Sequence, residues 1–220
     1  MDNAWYDHEI RERCDQKDLK KYSDRLPKLE PSLCPDFDAY LTSRNLNPDI
    51  ERANLWYPSR YAGDDAPRIV IPASSSDTYN KFWQARLMAT EGISSLVRYQ
   101  SPHGCRSGDA VIVVYPELLN RPYRSVVVEG PMDALAAAGE GCLGIALMGA
   151  LPPQERIDLT ATLVRGTIAI ICYDSDNPAA LVAVMSQLSN LGVQCRLRDP
   201  SPAKDLAELN RAQRAKLLSD

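Results

Sequence analysis

Soft metal ligands are scarce in this chain: it holds two histidines, His8 and His103, and none of its six cysteines form a CxxC pair. Zinc ribbons and fingers take their ligands at such spacings, so the expectation is no zinc. No segment reaches the ~18 consecutive apolar residues that a bilayer-crossing helix requires. The opening MDNAWYDHEIRER is acidic and mixed, where a signal peptide is basic and then apolar. These absences imply a cytoplasmic protein without membrane contact, its thiols reduced, with Cys142 and Cys172 as small core residues. Internal repeats and low-complexity stretches are missing as well. So is any positive excess. With a net charge of −4, contact with nucleic acid would require a basic surface confined to one side, and 29 acidic residues leave room for a carboxylate cluster.

What is present falls into three textures. Residues 1–35 are highly charged and weakly periodic and end in LPKLEPSLCP, an arm or linker without assigned chemistry. Residues 36–124 read as a smaller α+β subdomain. PDFDAYLTSRN is a helix with Asp36 as N-cap, and NPDIERANLW a second helix capped by Asn47 with Pro48 at its first position. RIVIPA, NKFWQARLM, SLVRY and AVIVV follow as strands of an antiparallel or mixed sheet.

From Ser125 the rhythm changes to strand and helix in alternation over 125–220. SVVVEG, CLGIALMGA, TIAIICYDSD and VQCRLRD are near-continuous apolar strands, each followed by a helical segment, the last being PAKDLAELNRAQRAKLL. Arg211, Arg214 and Lys216 are expected on a solvated face of that final helix. The pattern calls for an α/β fold, a four-stranded parallel sheet flanked by helices.

Ligands of open parallel sheets bind beyond the carboxyl ends of the strands. Glu129 ends the first strand, and Asp174 and Asp176 end the third. Alternation puts the two aspartates on one side and Tyr173 and Ser175 on the other. Asp133 lies one helical turn beyond Glu129. Gathered carboxylates repel one another unless a cation neutralises them, and hard oxygen donors select Mg²⁺ or Mn²⁺. Such an ion serves chemistry at phosphorus. Taken singly, each motif also has a structural reading: Glu129 and Asp133 complement a helix N-terminus, and Asp176 or Asn177 caps the following helix.

VVVEGPMDAL followed by IAIICYDSDNPAA resembles the Toprim domain of primases, topoisomerases and some nucleases, over about residues 125–210. Upstream, DAYLTSRNLNPDI, RIVIPASSSD, FWQARLM, RYQSPHG and VYPELL resemble the subdomain that precedes Toprim in phage- and plasmid-type primases, and PSPAKDLAEL resembles their late Lys-Asp segment. The resemblance implies a DNA primase that makes short RNA primers on a single-stranded DNA template from nucleoside triphosphates, in phage or mobile-element replication. It implies Glu129, Asp174 and Asp176 as catalytic residues, which with Asp133 hold Mg²⁺ (or Mn²⁺). Lys204 and Asp205 would contact phosphate or the metal shell, and Lys81, Arg86, Arg98 and Arg106 would line the template groove. From the residues alone, Arg86 and Arg98 also read as outward strand faces, and Trp83, Tyr99 and Phe82 as core or as base-stacking groups.

Two features depart from the family. No zinc-binding segment is present, and Asn177-Pro178 stands where an Ala-Gly pair is common. Template recognition or helicase action is therefore expected from a partner in trans. Two other readings stay open: a Toprim metal-dependent nuclease, and a non-catalytic single-strand-binding or regulatory module.

Overall fold

A computed structural model describes residues 27–60, 66–73, 82–88, 97–101, 110–116 and 124–219. Lys81 and Arg106 lie outside the described residues. Helix α1 (Cys34–Ser43) follows a single 3₁₀ turn, Pro31–Leu33, and buries Phe37 and Leu41. It opens three residues ahead of the expected start, with Leu33 at the N-cap position, so Asp36 sits in its first turn. Asn45 turns the chain with φ 56°. Helix α2 (Pro48–Ala53) starts as expected, with the Asn47 side chain accepting the Asp49 N–H at 3.0 Å.

Strands β1 (Tyr57–Arg60), β2 (Pro67–Pro72), β3 (Trp83–Leu87) and β4 (Tyr99–Gln100) form an antiparallel sheet in chain order. Both faces of β2 are covered. Ile69 and Ile71 join the main core, and Val70 packs with Trp83 and Ala85 on the reverse side. Trp83 is thus a core residue, and Phe82 is buried as well.

The second sheet contains β5 (Ile112–Val114), β6 (Ser125–Val128), β7 (Leu143–Ala146), β8 (Ile168–Ile171) and β9 (Gln194–Leu197), in the spatial order β5-β7-β6-β8-β9. The four strands expected to be parallel are parallel. The AVIVV strand, expected with the upstream sheet, instead pairs antiparallel with β7 and makes this sheet five-stranded and mixed. Its apolar run, Val111 to Val114, is buried on both faces, which an edge beside β7 provides.

Connection direction decides where the helices go. The step from β6 to β7 runs one way across the sheet, and the steps from β7 to β8 and β9 run the other. Right-handed crossovers therefore place α3 (Pro131–Gly139) on one face and α4 (Gln154–Leu163) and α5 (Pro178–Asn190) on the opposite face. Alternating strand residues separate accordingly: Val126 and Val128 pack with α3, and Val127 packs with Ile157, Val184 and Leu188 of α4 and α5.

Residues 131–138 of α3 are all buried, because the helix lies between the second sheet and the residues of the first. Its alanines allow a very close approach. A Cβ on Gly144 of β7 would stand 2.0 Å from the Ala134 carbonyl oxygen, so only glycine fits there.

The last segment is not one helix. A 3₁₀ turn (Leu206–Glu208) capped by Asp205 precedes α6 (Arg211–Leu218), whose start is fixed by a capping box between Asn210 and Gln213. Arg211 and Lys216 are exposed as expected, but Arg214 is buried. Its Nε donates to Glu140 at 3.3 Å and its Nη2 to the Asn45 carbonyl at 2.6 Å. Arg198 and Arg124 donate to the Leu217 and Leu218 carbonyls at the other end of α6. Among the described residues, no helix is long and apolar enough to cross a membrane.

Candidate active site

Strands β6 and β8 are neighbours, yet the helices that follow them leave on opposite faces of the sheet. Such a divergence opens a crevice at the carboxyl ends of the two strands. Glu129 follows β6 into it, and Asp174 and Asp176 follow β8.

The turn after β8 distributes its polar side chains by task. Asn177 caps α5, accepting the Ala180 N–H at 3.3 Å, so neither aspartate is used as the cap. Tyr173 turns into the core beneath α4 and α5, and its hydroxyl has no hydrogen-bond partner among the described residues. Burial and the nearby carboxylates of Glu129 and Asp174 push that hydroxyl's pKa upward.

Lys204 lies over the aspartates. Its Nζ is 3.0 Å from Asp176 Oδ2 and 3.7 Å from Asp174 Oδ2. Burial first, then Asp174 and Asp176, raises the pKa of Glu129, with Lys204 opposing. Asp174 is raised by burial and by Asp205, again against Lys204. The lysine is itself raised, by its hydrogen bond to Asp176 and the attraction of both aspartates. Three carboxylates thus share one electrostatic neighbourhood, and an ammonium group partly neutralises it.

Asp133 has a different setting. It is buried, and its Oδ1 accepts the Ala207 N–H at 2.9 Å, tying α3 to the turn after Asp205. Burial and Asp205 push its pKa up to about 8, against the pull of the Ala207 N–H and Arg86. One of its oxygens is thus committed to backbone. Asp205 likewise accepts the Glu208 N–H at 2.9 Å.

A divalent cation suits this donor set in chemistry: Glu129, Asp174 and Asp176 offer only hard oxygens, and their mutual repulsion favours a positive charge between them. Among the described residues, no three His, Cys, Asp or Glu groups converge tightly enough to enclose an ion. The group that approaches both aspartates is the Lys204 ammonium and not a third carboxylate. A separate cavity, of about 610 Å³, opens at the amino ends of β8 and β9, beside Arg165, Thr167 and Gln194. It is at the far end of the sheet from these carboxylates.

The basic residues divide. Arg98 is exposed beside β4. Arg86, expected along a template groove, is turned inward: its Nε donates to the Tyr40 hydroxyl at 2.9 Å, and its Nη1 donates to the Tyr99 hydroxyl while the guanidinium lies over the Tyr99 ring, 5.1 Å from the centroid. Two phenols occupy its donors, so β3 can bury it at 7% exposure. Tyr99 is held there and is not presented flat to solvent.

Sequence reasoning missed the latch under Lys204. The Ser175 N–H donates to the Lys204 carbonyl at 2.8 Å, and its Oγ donates to the Ala203 carbonyl at 3.0 Å. Glu208 Oε2 accepts the Lys204 N–H at 3.0 Å. The available signal was the alternation that puts Ser175 opposite the two aspartates, but its partner lies 28 residues away.

Residues 126–210 match the Toprim-like family model. No curated protein matches the chain by sequence. The fold is similar to that of the Aquifex aeolicus primase zinc-binding and RNA polymerase domains, at 15% identity and TM-score 0.60, covering 81% of this chain and 53% of that one. A DNA primase domain from Pseudomonas aeruginosa is similar at 18% identity and TM-score 0.58, covering 80% of this chain and 67% of that one. A DnaG primase catalytic domain bound to single-stranded DNA gives 15% identity and TM-score 0.59, with 87% and 76% covered. The chain therefore carries a Toprim-like domain within a primase-core fold, and it spans about half the length of the Aquifex chain.

Proposed function

We propose that this Toprim-like protein is a primase-like nucleotidyltransferase that makes short RNA primers on single-stranded DNA, in the replication of a phage or mobile element. The observation that carries the reading is the placement of Glu129 at the end of β6 and of Asp174 and Asp176 at the end of its neighbour β8, electrostatically coupled to one another and to Lys204. Glu129, Asp174 and Asp176 would hold Mg²⁺ (or Mn²⁺), which when bound neutralises phosphate oxygens during displacement at phosphorus. In the reaction a primer 3′-hydroxyl attacks the α-phosphate of a nucleoside triphosphate, a new P–O bond forms, and pyrophosphate leaves.

The protein's own groups have distinct parts. Glu129, whose proton affinity is raised by burial and by its neighbours, would act as a metal ligand or as the general base that accepts the hydroxyl proton. Lys204 and Asp205 lie on the segment that closes over the site and would meet the triphosphate. Asp133 supports the site from below, linking α3 to that segment. Arg98, exposed next to β4, would contact template phosphate, and the resemblance implies the same role for Lys81. Arg86 contributes by holding Tyr99 and Tyr40 in place.

On this reading residues 36–124 form the template side and lend β5 to the catalytic unit of 125–220. The packing of α1 and β2 against α3 in one core favours this over a stand-alone Toprim nuclease, because it holds a second sheet beside the site. A helicase or template-recognition protein would act in trans in the host cytoplasm.

The test is primer synthesis. Purified protein is incubated with single-stranded DNA, four ribonucleotides and Mg²⁺ or Mn²⁺, beside a Glu129→Gln control. Short labelled products that disappear in the control are expected. Template cleavage would replace this reading with a nuclease, and intact template without products would leave a binding role.

A further inference from the structure

The ammonium of Lys204 occupies the place between Asp174 and Asp176 that positive charge is drawn to. Its backbone is fixed there from three sides. Ser175, between the two aspartates, holds the Lys204 carbonyl with its N–H and the Ala203 carbonyl with its hydroxyl, and Glu208 holds the Lys204 N–H. The side chain, by contrast, is half exposed, as Asp176 is, while Asp174 is mostly covered. The lysine can therefore leave the aspartates by rotating its own bonds, while its Cα stays beside them.

We propose that Lys204 is a tethered counter-ion for the Asp174–Asp176 pair, displaced when a divalent cation binds and thereby made available to an anion. This rests on the reading of these aspartates as a metal site and adds an order of events to it. Glu129, Asp174 and Asp176 with one ammonium leave a net negative charge, which repels a triphosphate. A divalent cation cancels that excess and releases the ammonium beside the site. Metal entry thus removes the local anionic barrier and frees a cation, and phosphate capture follows metal binding. The lysine opposes metal binding by the same free energy with which the metal releases the lysine.

The test uses the full chain without nucleotide, with Mn²⁺ binding followed by the electron paramagnetic resonance of free Mn²⁺. Lys204→Met should tighten Mn²⁺ binding about tenfold, within the usual range for coupling of this kind. Lys204→Arg, which keeps the charge, should stay near the parent affinity. A second readout needs no variant: Mg²⁺ should raise the rate at which an amine-acylating reagent labels Lys204 several-fold, with Lys216 on α6 unchanged as the internal control. Metal binding that is equal in Lys204→Met and the parent, or Lys204 labelling that ignores Mg²⁺ at saturating metal, overturns the counter-ion role and leaves the metal site standing. No saturable Mn²⁺ binding in either protein overturns both.

Discussion

The first sheet and the crevice of the second both carry charge where chains are packed, and they accommodate it in opposite ways. In the first sheet, Arg68 and Arg86 are buried. Arg86 is paired with two tyrosine hydroxyls, and Arg68 donates to the Val97 carbonyl at 3.0 Å. At the crevice, Asp174 and Asp176 are left at least partly open and are balanced by a half-exposed lysine. A buried cation whose donors are taken up by neutral oxygens is a fixed structural member. Like charges held at a surface beside an exchangeable partner are ready for a ligand. Charge alone does not separate the two cases, but the partners do.

Several substitutions would break or sharpen that contrast. The largest effect is expected from Asp174→Asn, which should lower Mg²⁺-dependent primer synthesis about a thousandfold, a loss of about 4 kcal/mol of transition-state stabilisation. Its melting temperature without metal should hold or rise, since a repulsive charge is gone; unaltered synthesis would remove Asp174 from the site. Gly144→Ala should cost about 3 kcal/mol in urea unfolding, because the added methyl collides with the backbone of α3. A normal unfolding midpoint would show that α3 does not pack as described.

Arg86→Leu should cost about 2 kcal/mol by stranding the Tyr40 and Tyr99 hydroxyls. Arg86→Lys should not restore it, since a lysine does not span both phenols in a planar fork. An equal loss of DNA binding with full stability would return Arg86 to the groove. Asp133 gives a pH dependence. Its folded pKa of about 8 lies above the ordinary 3.8, so its contribution is fully present at acid pH and is lost as pH rises between those values. In metal-free buffer, Asp133→Asn, which keeps an oxygen for the Ala207 N–H, should flatten the corresponding fall in melting temperature. Smallest of all is Arg98→Ala, for which stability stays within about 0.5 kcal/mol. Single-strand affinity should lose about 0.7 from its log–log salt slope if one phosphate contact disappears.

The second half of the chain was the more legible in sequence. Its strands are continuous apolar runs separated by helices of ordinary length, and handedness then fixes which strands diverge, so Glu129, Asp174 and Asp176 could be placed from their positions at strand ends. What was hidden depends on partners far away in the chain. Nothing local in AVIVV says that it pairs with β7, across 32 residues between Val113 and Ile145. Arg86 and Arg214 read as surface charge because their partners, Tyr40, Tyr99, Glu140 and the Asn45 carbonyl, come from other elements. Lys204 matched a late segment in the sequence, but that its ammonium spans the two aspartates follows only from the closure of the 199–205 loop onto Ser175. PAKDLAELNRAQRAKLL reads as one helix, whereas Asp205 and Asn210 each cap a separate turn within it.

The bond from Arg214 to the Asn45 carbonyl joins residues 169 apart in sequence. During vectorial synthesis, the turn between α1 and α2 leaves the ribosome long before its partner exists. The ring it belongs to closes only after α6 has emerged. Contacts of such span slow folding, because the entropy of loop closure comes before the contact that rewards it. Early segments must wait in partly packed form, so α6 acts as the clasp that ends the wait. A ribosome stalled ahead of Arg214 would display a nascent chain more open to protease than one stalled with α6 released.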